Sequence, residues 1–374
     1  MGMTHVKIGW WLAIVAGCGS VAPALDGGEG APDGGIVAGD GDILGDGEGQ
    51  EAAGCPADPA RCLYRPPVLP IELLEVTATD PSRIGGPRTL NVAIRYSRAA
   101  PTPMPVVIWS HGGADGETNA VGALDKWAIA AAEAGYFSVA IAHTPRDQAS
   151  RAALCGSLGF DAAGCATFKY LSYDRPRDIS LVIDNVVALG AQPQFAGKLD
   201  VARLAVGGHS AGAGGALMVA GAARDINGVS TVTVDPRPIA FLAMSPQAPG
   251  SDGMTAAGYG QVTRPTLIGT GRGDDDPPDT ADGRASVFDL MQPGGKARIF
   301  IEAPAAIHTV FALETDACAA STPVARCEQM RDWVRSAGLA FLDGNVRGTH
   351  LAQAWLASNA LGVASAGVAE WSTR

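Results

Sequence analysis

A serine set among glycines is the residue of this chain whose type and spacing point most directly to chemistry. Segment 204–212, LAVGGHSAG, contains the pattern G-x-S-x-G around Ser210. An apolar strand is predicted to end at the first glycine and a helix to begin just after the serine, which places the hydroxyl in a sharp strand–helix turn. There it faces the helix N-terminus, whose dipole favours developing negative charge. A phosphate-binding glycine turn is the alternative, but this segment lacks the lysine of a P-loop.

A serine of ordinary basicity needs a neighbouring base to act as a nucleophile. The chain has six histidines, and in proteins with this serine turn the catalytic order along the chain is serine, acid, histidine. That order leaves His308 and His350 as candidates. His308 follows the predicted strand Ala297–Glu302 by a short loop, whereas His350 lies in the C-terminal tail beyond a helix. We predict that His308 is the base.

Three adjacent carboxylates follow the predicted strand that precedes His308. They are Asp274, Asp275 and Asp276, at the end of segment 265–276. The acid of such a site accepts the imidazole N–H, fixes the tautomer and stabilises the imidazolium. Asp274 is the predicted acid and Asp275 the second candidate. The cluster could also be a solvated acidic turn, and two of its three members are expected to be only that.

Two backbone N–H groups are needed to hold an oxyanion. Ala211, directly after the serine, supplies one. The loop 110–113 (SHGG) follows the apolar strand Pro105–Trp109, and Gly113 N–H is the predicted second donor. A glycine there lets the amide approach a substrate without steric hindrance. His111 is expected to orient this loop rather than to act as a base.

The elements that must position these residues alternate between strand-like and helix-like segments from about Cys55 to the end. Ile71–Thr79 and Thr89–Tyr96 predict an antiparallel hairpin. The alternation that follows predicts parallel strands with right-handed crossovers. The fold class is therefore α/β, with a mostly parallel, doubly wound sheet. Predicted strands are Pro105–Trp109, Phe137–Ala142, Leu204–Gly208, Ile239–Met244, Thr266–Gly269 and Ala297–Glu302, and predicted helices are Ala120–Ala134, Ile179–Leu189 (with Pro176 in its approach), Ala211–Ala222, Met330–Leu342 and Leu351–Ala357.

Residues 1–17 are predicted to be a targeting segment. Lys7 provides a basic start, an apolar stretch follows, and the segment 15–18 (VAGC) ends in Cys18. Small residues before that cysteine resemble a bacterial lipobox, in which the cysteine becomes the lipidated first residue. Gly19 after the cysteine resembles an outer-membrane destination. Ordinary secretion, with Cys18 as a bystander, is the alternative.

Residues 18–54 are predicted to be a disordered tether, and residues 55–374 a single globular domain. Within 19–54 lie eight Asp or Glu, 12 glycines and no Lys or Arg. Such a segment buries too little apolar surface to offset its chain entropy. Calcium binding by its Asp-Gly-Asp spacing is the alternative, but the spacing does not fit an EF-hand loop.

Six cysteines remain in the predicted globular domain, in three couples that are close in sequence. Disulfides within each couple are the simplest pairing for an exported protein, although six cysteines allow 15 pairings. Zinc is disfavoured because no couple has C-x-x-C spacing. The predicted pairs are Cys55 with Cys62, Cys155 with Cys165, and Cys318 with Cys327.

The composition excludes two classes of protein. The 374 residues carry a formal charge of −11, which argues against a nucleic-acid partner because phosphate binding needs clustered Lys and Arg. Apart from one short N-terminal stretch, no apolar run reaches the roughly 20 residues of a transmembrane helix. Contact with a membrane is expected only through the lipid anchor.

Together, the segments VVIWSHGG, GHSAG, TGRGD and IHTVF resemble the α/β-hydrolase superfamily. The most similar branch comprises dienelactone-hydrolase-like enzymes, platelet-activating-factor acetylhydrolases and cutinase-type polyesterases. The segment Tyr173–Asp178 (YDRPRD) also resembles an RPxD segment of that branch. The Cys155–Cys165 insert is longer than a minimal fold needs and could cap the site.

This resemblance implies a serine hydrolase that cleaves small or polymeric carboxylic esters and needs no metal or organic cofactor. A monomer is expected. The alternatives are a polyester depolymerase or a peptidase with the same three residues. From another class, the alternative is a surface binding protein that kept the fold without catalysis.

Overall fold

The computed structural model describes residues 6–7, 62–113, 116–314 and 324–374. Cys18, the predicted tether, Cys55 and Cys318 lie outside the described residues, as does the predicted targeting segment apart from the short strand β1 (Val6–Lys7).

Ten strands form one mixed sheet in the described part of the chain, in the order β1-β2-β3-β5-β4-β6-β9-β10-β11-β12. A small separate hairpin consists of β7 (Arg224–Ile226) and β8 (Val229–Thr231). The strands of the large sheet are β1, β2 (Glu72–Asp80), β3 (Arg88–Tyr96), β4 (Met104–Ser110), β5 (Phe137–Ala142), β6 (Leu199–His209), β9 (Ala240–Met244), β10 (Thr266–Gly271), β11 (Lys296–Ile301) and β12 (Ala369–Thr373).

Six neighbouring strands, from β5 through β4, β6, β9 and β10 to β11, run parallel. β2 and β3 pair antiparallel along their whole length, with Glu72 opposite Tyr96 and Asp80 opposite Arg88. The predicted hairpin is therefore confirmed. So is the fold class, an α/β-hydrolase fold with a mostly parallel sheet.

Helices cover both faces of the sheet, which explains why its central strands are almost wholly apolar. One core lies under α1, α8, α9 and α10, and the other under α4, α5, α6 and α7. The helices are α1 (Asp125–Glu133), α2 (Gln148–Ser157), α3 (Ala162–Thr167), α4 (Tyr170–Gly190), α5 (Ala211–Ala220), α6 (Ala256–Tyr259), α7 (Ala281–Leu290), α8 (Val324–Leu342), α9 (His350–Leu356) and α10 (Ala360–Ala364).

Three predicted helix starts are wrong. Helix α8 begins at Val324, not Met330. Helix α1 begins at Asp125, not Ala120, because Leu124 has a left-handed backbone with φ of 49°. Helix α4 begins at Tyr170, so Pro176 lies inside it rather than in its approach. A proline in a helix interior costs about 3 kcal/mol. Buried ion pairs of Asp174 and Asp178, described below, hold this part of α4 against the rest of the fold.

The segment between β5 and α4 folds as two short helices joined by a disulfide. Cys155 of α2 and Cys165 of α3 are bonded, as predicted. Cys62 and Cys327 each take part in a disulfide. Because Cys55 and Cys318 lie outside the described residues, the pairing of Cys62 with Cys55 and that of Cys327 with Cys318 stay predictions. No helix within the described ranges is long and apolar enough to cross a membrane.

Candidate active site

The predicted site residues all follow the carboxyl ends of parallel strands. β4, β6, β9, β10 and β11 are consecutive neighbours in the sheet, so their carboxyl ends lie along one edge. Ser110 ends β4, Ser210 follows β6, Ser245 follows β9, Asp274 follows β10 and His308 follows β11. Residues more than 190 positions apart in sequence are thereby brought together at the usual ligand-binding edge of an α/β sheet.

Ser210 occupies a strained turn between β6 and α5. Its φ of 55° and ψ of −122° are rarely adopted by a residue with a side chain, and its N–H donates to Met244 O at 2.9 Å. Only glycine fits at the position two residues before it and at the position two residues after it. A Cβ on Gly208 would lie 2.3 Å from Gly212 O, and a Cβ on Gly212 would lie 1.9 Å from Ser110 O. The glycines of the G-x-S-x-G pattern are thus required by close backbone packing.

His308 is held by a buried carboxylate. Its Nδ1 lies 2.7 Å from Asp274 Oδ1, and since a carboxylate can only accept, Nδ1–H is the donor and Nε2 is left as an acceptor. The other oxygen of Asp274 accepts from Ser245 Oγ at 2.6 Å and Thr270 Oγ1 at 2.8 Å. Arg284 Nε lies 3.4 Å from Oδ1. Asp274 is completely buried, and each of these partners is a hydrogen-bond donor group.

The other two carboxylates of the acidic cluster are exposed and do not contact His308. Asp275 accepts the backbone N–H of Ala281 at 2.7 Å, at the start of α7. Asp276 exchanges backbone hydrogen bonds with Asp279. His350, the second candidate base, is exposed at the start of α9 and does not line the cavity described below.

The backbone of His308 is fixed from two sides. His209 Nε2 lies 3.0 Å from His308 O, so this nitrogen carries the proton that is donated. Burial, with the nearby His308 ring, lowers the pKa of His209 to about 3. His209 is therefore neutral at pH 7. On the far side, Trp127 Nε1–H donates to Phe311 O at 2.9 Å, which ties the turn that carries His308 to α1.

His111 has the structural role predicted for it, because both its ring nitrogens bond to backbone. Its Nε2 accepts the N–H of His143 at 3.1 Å, which makes Nδ1 the protonated nitrogen, and Nδ1 lies 2.6 Å from Gly112 O. Burial and the neighbouring charges of His143 and Arg175 lower the pKa of His111 to about 2. Gly113 has a φ of +85°, a backbone conformation for which glycine is suited.

An open cavity of about 440 Å³ connects these groups. Ser210, His308, Gly112 and Gly113 line it, while Ala211, the first residue of α5, directly follows the serine. No residue of the Cys155–Cys165 insert is among the described residues that line it, so the insert does not form the expected cap there. The lining residues are His111, Gly112, Gly113, Gly116, Glu117, Gly122, Ala123, Leu124, His209, Ser210, His308 and Glu314.

A second Ser–His–Asp set, which was not predicted from the sequence, lies beneath the cavity. Ser110 Oγ is 2.8 Å from His143 Nε2, and His143 Nδ1 is 3.1 Å from Asp178 Oδ2. All three side chains are completely buried. Burial, and then the charge of Arg175, lowers the pKa of His143 to about 4. The only signal of this set in the sequence was the YDRPRD segment that ends at Asp178.

Comparisons with known proteins identify the fold only. No family model matches this sequence, and no curated protein is similar to it. Among solved structures, the chain is similar to a ferulic acid esterase from Streptomyces cinnamoneus, with a TM-score of 0.51 and 18% identity over 77% of this chain and 93% of the other. Within the described residues, no group of three or more His, Cys, Asp or Glu could hold a metal ion.

Proposed function

We propose that this chain is a serine hydrolase that cleaves carboxylic esters through an acyl-enzyme. One observation carries the proposal. Ser210 sits in a strained turn on the same cavity as His308, whose imidazole is held by the buried carboxylate of Asp274. These are the nucleophile, base and orienting acid of a catalytic triad, in the chain order serine, acid, histidine.

In the proposed mechanism, Ser210 Oγ attacks the acyl carbon while its proton passes to His308 Nε2. Asp274 stabilises the imidazolium through the Nδ1–H bond. His308 then gives the proton to the leaving alcohol, and an ester bond to Ser210 remains. A water molecule, deprotonated by the same nitrogen, attacks this ester and releases the acid with Ser210 restored.

The tetrahedral oxyanion in both steps would be held by the N–H groups of Gly113 and Ala211. Ala211 N–H is among the first N–H groups of α5, which have no partner within the helix. The positive end of the helix dipole adds to its effect. Such preorganised donors supply a large share of the rate in acyl transfer.

Two points support an ester rather than a peptide substrate. The chain resembles the dienelactone hydrolase, platelet-activating-factor acetylhydrolase and cutinase-like branch in its sequence motifs, and the solved structure of similar fold is named a ferulic acid esterase. A panel of p-nitrophenyl esters of graded acyl length, ethyl ferulate, a polyester film and a peptide anilide separates these substrate classes.

The decisive test is labelling of the folded full chain by a fluorophosphonate, with the modified peptide identified by mass spectrometry. We expect the label on Ser210 and none on Ser110, which is buried. Ser210→Ala should abolish labelling and p-nitrophenyl acetate hydrolysis, while Ser157→Ala, at an exposed position on α2, should leave both unchanged. Hydrolysis that survives in Ser210→Ala would refute the assigned nucleophile, and a wild-type chain that does not label would favour a non-catalytic binding protein.

We also propose that the mature chain begins at a lipidated Cys18 and is held at a bacterial outer membrane through the tether of residues 18–54. The support is the VAGC segment followed by the Gly- and Asp-rich stretch. Stable anchoring by lipid needs at least two signals, which a multiply acylated cysteine provides. Cys18→Ser should move the protein from the membrane pellet to the soluble fraction. Equal distribution of the two forms would refute the anchor.

A further inference from the structure

Arg175 lies beneath the oxyanion loop, defined here as residues 110–113, and binds it by three consecutive carbonyls. Its guanidinium donates to His111 O at 2.5 Å, Gly112 O at 3.3 Å and Gly113 O at 2.6 Å. Arg175 belongs to helix α4 and is only 1% exposed. It does not line the cavity. The side chain therefore acts on the loop and cannot touch a substrate in this arrangement.

The geometry of the peptide bond links these contacts to the proposed oxyanion donor. In a planar trans peptide the C=O and the following N–H point in opposite directions. When Gly112 O points toward Arg175, the N–H of Gly113 must point away from it. Two adjacent glycines are conformationally permissive, so the direction of this N–H has to be imposed by side chains that bind the loop backbone. His111 Nδ1–H, 2.6 Å from the same Gly112 O, adds to the constraint.

A buried charge network next to Arg175 fixes the start of the loop. Arg88 binds both oxygens of Asp178, at 2.8 and 2.7 Å. Burial alone would raise the pKa of Asp178, but hydrogen bonds from Arg88 and His143 lower it below its usual value. The ionised Asp178 accepts from His143 Nδ1–H, which leaves Nε2 to accept from Ser110 Oγ. The loop is thus held at Ser110 by this network and at its three following carbonyls by Arg175.

We propose that Arg175 is a positioning residue that aims the N–H of Gly113 into the cavity and so creates half of the oxyanion hole. The inference rests on the proposed ester hydrolysis at Ser210. It assigns to the RPxD segment a function in transition-state binding, beyond the packing of α4.

The test compares Arg175→Lys with a matched control, Arg264→Lys. Arg264 also binds three backbone carbonyls, those of Asp235, Pro238 and Val219, but none of its partners lines the cavity. A lysine keeps the charge in each case and loses the fork that spans several carbonyls. Arg175→Gln is made as a second variant without the charge. Active sites are counted by stoichiometric phosphonylation, so that rates are expressed per folded site.

Two readouts separate positioning from a general structural defect. The first is kcat and KM for p-nitrophenyl acetate per titrated site. The second is Ki for a trifluoromethyl ketone, which forms a hemiketal whose oxyanion occupies the hole. Loss of one oxyanion donor lowers kcat about 10²–10³-fold. We expect Arg175→Lys to lower kcat about 10- to 100-fold with KM nearly unchanged, and to raise Ki by a similar factor. Arg175→Gln should lose more.

A kcat and a Ki within threefold of wild type in both Arg175 variants would overturn the proposal. Equal losses in Arg264→Lys would also overturn it, because they would show a general effect of weakening a carbonyl clamp. A fall in the number of titrated sites, with normal kcat and Ki per site, would assign Arg175 to stability alone. Failure of the proposed function is distinct, since the wild-type chain would then neither label at Ser210 nor hydrolyse the ester.

Discussion

Replacing Asp274 by Asn tests the proposed triad with a change of one atom. The carboxylate now accepts His308 Nδ1–H on one oxygen and two hydroxyls, of Ser245 and Thr270, on the other. An amide has one acceptor and one donor end. If its oxygen keeps the two hydroxyls, its NH₂ faces Nδ1. His308 must then carry its proton on Nε2, where it cannot accept from Ser210.

The expected loss follows from this tautomer. In a serine protease triad the same change lowers kcat about 10⁴-fold with the geometry intact, which corresponds to about 5.5 kcal/mol of activation free energy. The opposite amide orientation would turn the NH₂ toward the Ser245 and Thr270 hydroxyls, which can rotate to accept. Some correct tautomer could survive in that case, so we expect a loss of about 10³–10⁴-fold in kcat.

Asp275→Asn is the matched control. Its side chain is exposed, and it bonds to the backbone N–H of Ala281, a contact that an amide oxygen can keep. We expect kcat within about threefold of wild type. The assay is p-nitrophenyl acetate hydrolysis at pH 8, with sites counted by phosphonylation and folding checked by circular dichroism. The reasoning is refuted if Asp274→Asn keeps more than a tenth of the activity, or if Asp275→Asn loses as much.

Two further predictions concern stability. Three buried histidines, His111, His143 and His209, have pKa values lowered to about 2–4 against an ordinary value near 6.5. Below pH 6.5 the unfolded chain therefore binds protons that the folded chain does not. The free energy of unfolding should therefore fall from pH 6.5 to pH 5, by about 1–2 kcal/mol for each histidine; urea titrations that give a flat profile would contradict this. The double variant Cys155→Ser/Cys165→Ser opens a loop with a sequence separation of 10 and should lose about 3 kcal/mol without a change in kcat/KM, because the insert does not line the cavity; a lower kcat/KM would show that it reaches the site.

The parts of this fold that could be predicted from sequence are those specified locally. Apolar runs such as Phe137–Ala142 mark buried parallel strands because such strands are covered on both faces, and the structure keeps these bounds unchanged. Gly208 and Gly212 could be interpreted for a similar reason. Gly208 packs against Gly212 within the turn itself, and Gly212 packs against the backbone of Ser110 in the neighbouring loop. The order of strands then brings His308 and Asp274 to the same edge.

The errors arise where distant residues decide local structure. Pro176 predicts a helix start, yet α4 runs through it. Asp174, two residues earlier, is paired with Arg146 at 2.6 and 2.9 Å, and Arg175 binds the oxyanion loop more than 60 residues away in sequence. Strand β12 was missed as well, because its pairing with β11 joins residues about 70 positions apart. Neither the contacts of helix α4 nor the pairing of β12 with β11 leaves a periodic pattern in the sequence.

The two Ser–His–Asp sets show that residue type alone does not define a catalytic site. Ser110, His143 and Asp178 form a hydrogen-bonded chain as complete as any triad. Yet all three are completely buried, and the pKa of His143 is lowered to about 4 by burial and by the charge of Arg175. The buried hydroxyl of Ser110 can reach no substrate, and the imidazole of His143 holds a proton poorly at pH 7. The set at Ser210 differs in that its serine and histidine open onto the cavity, and this exposure is the reason we propose catalysis for this set and support of the oxyanion loop for the buried one.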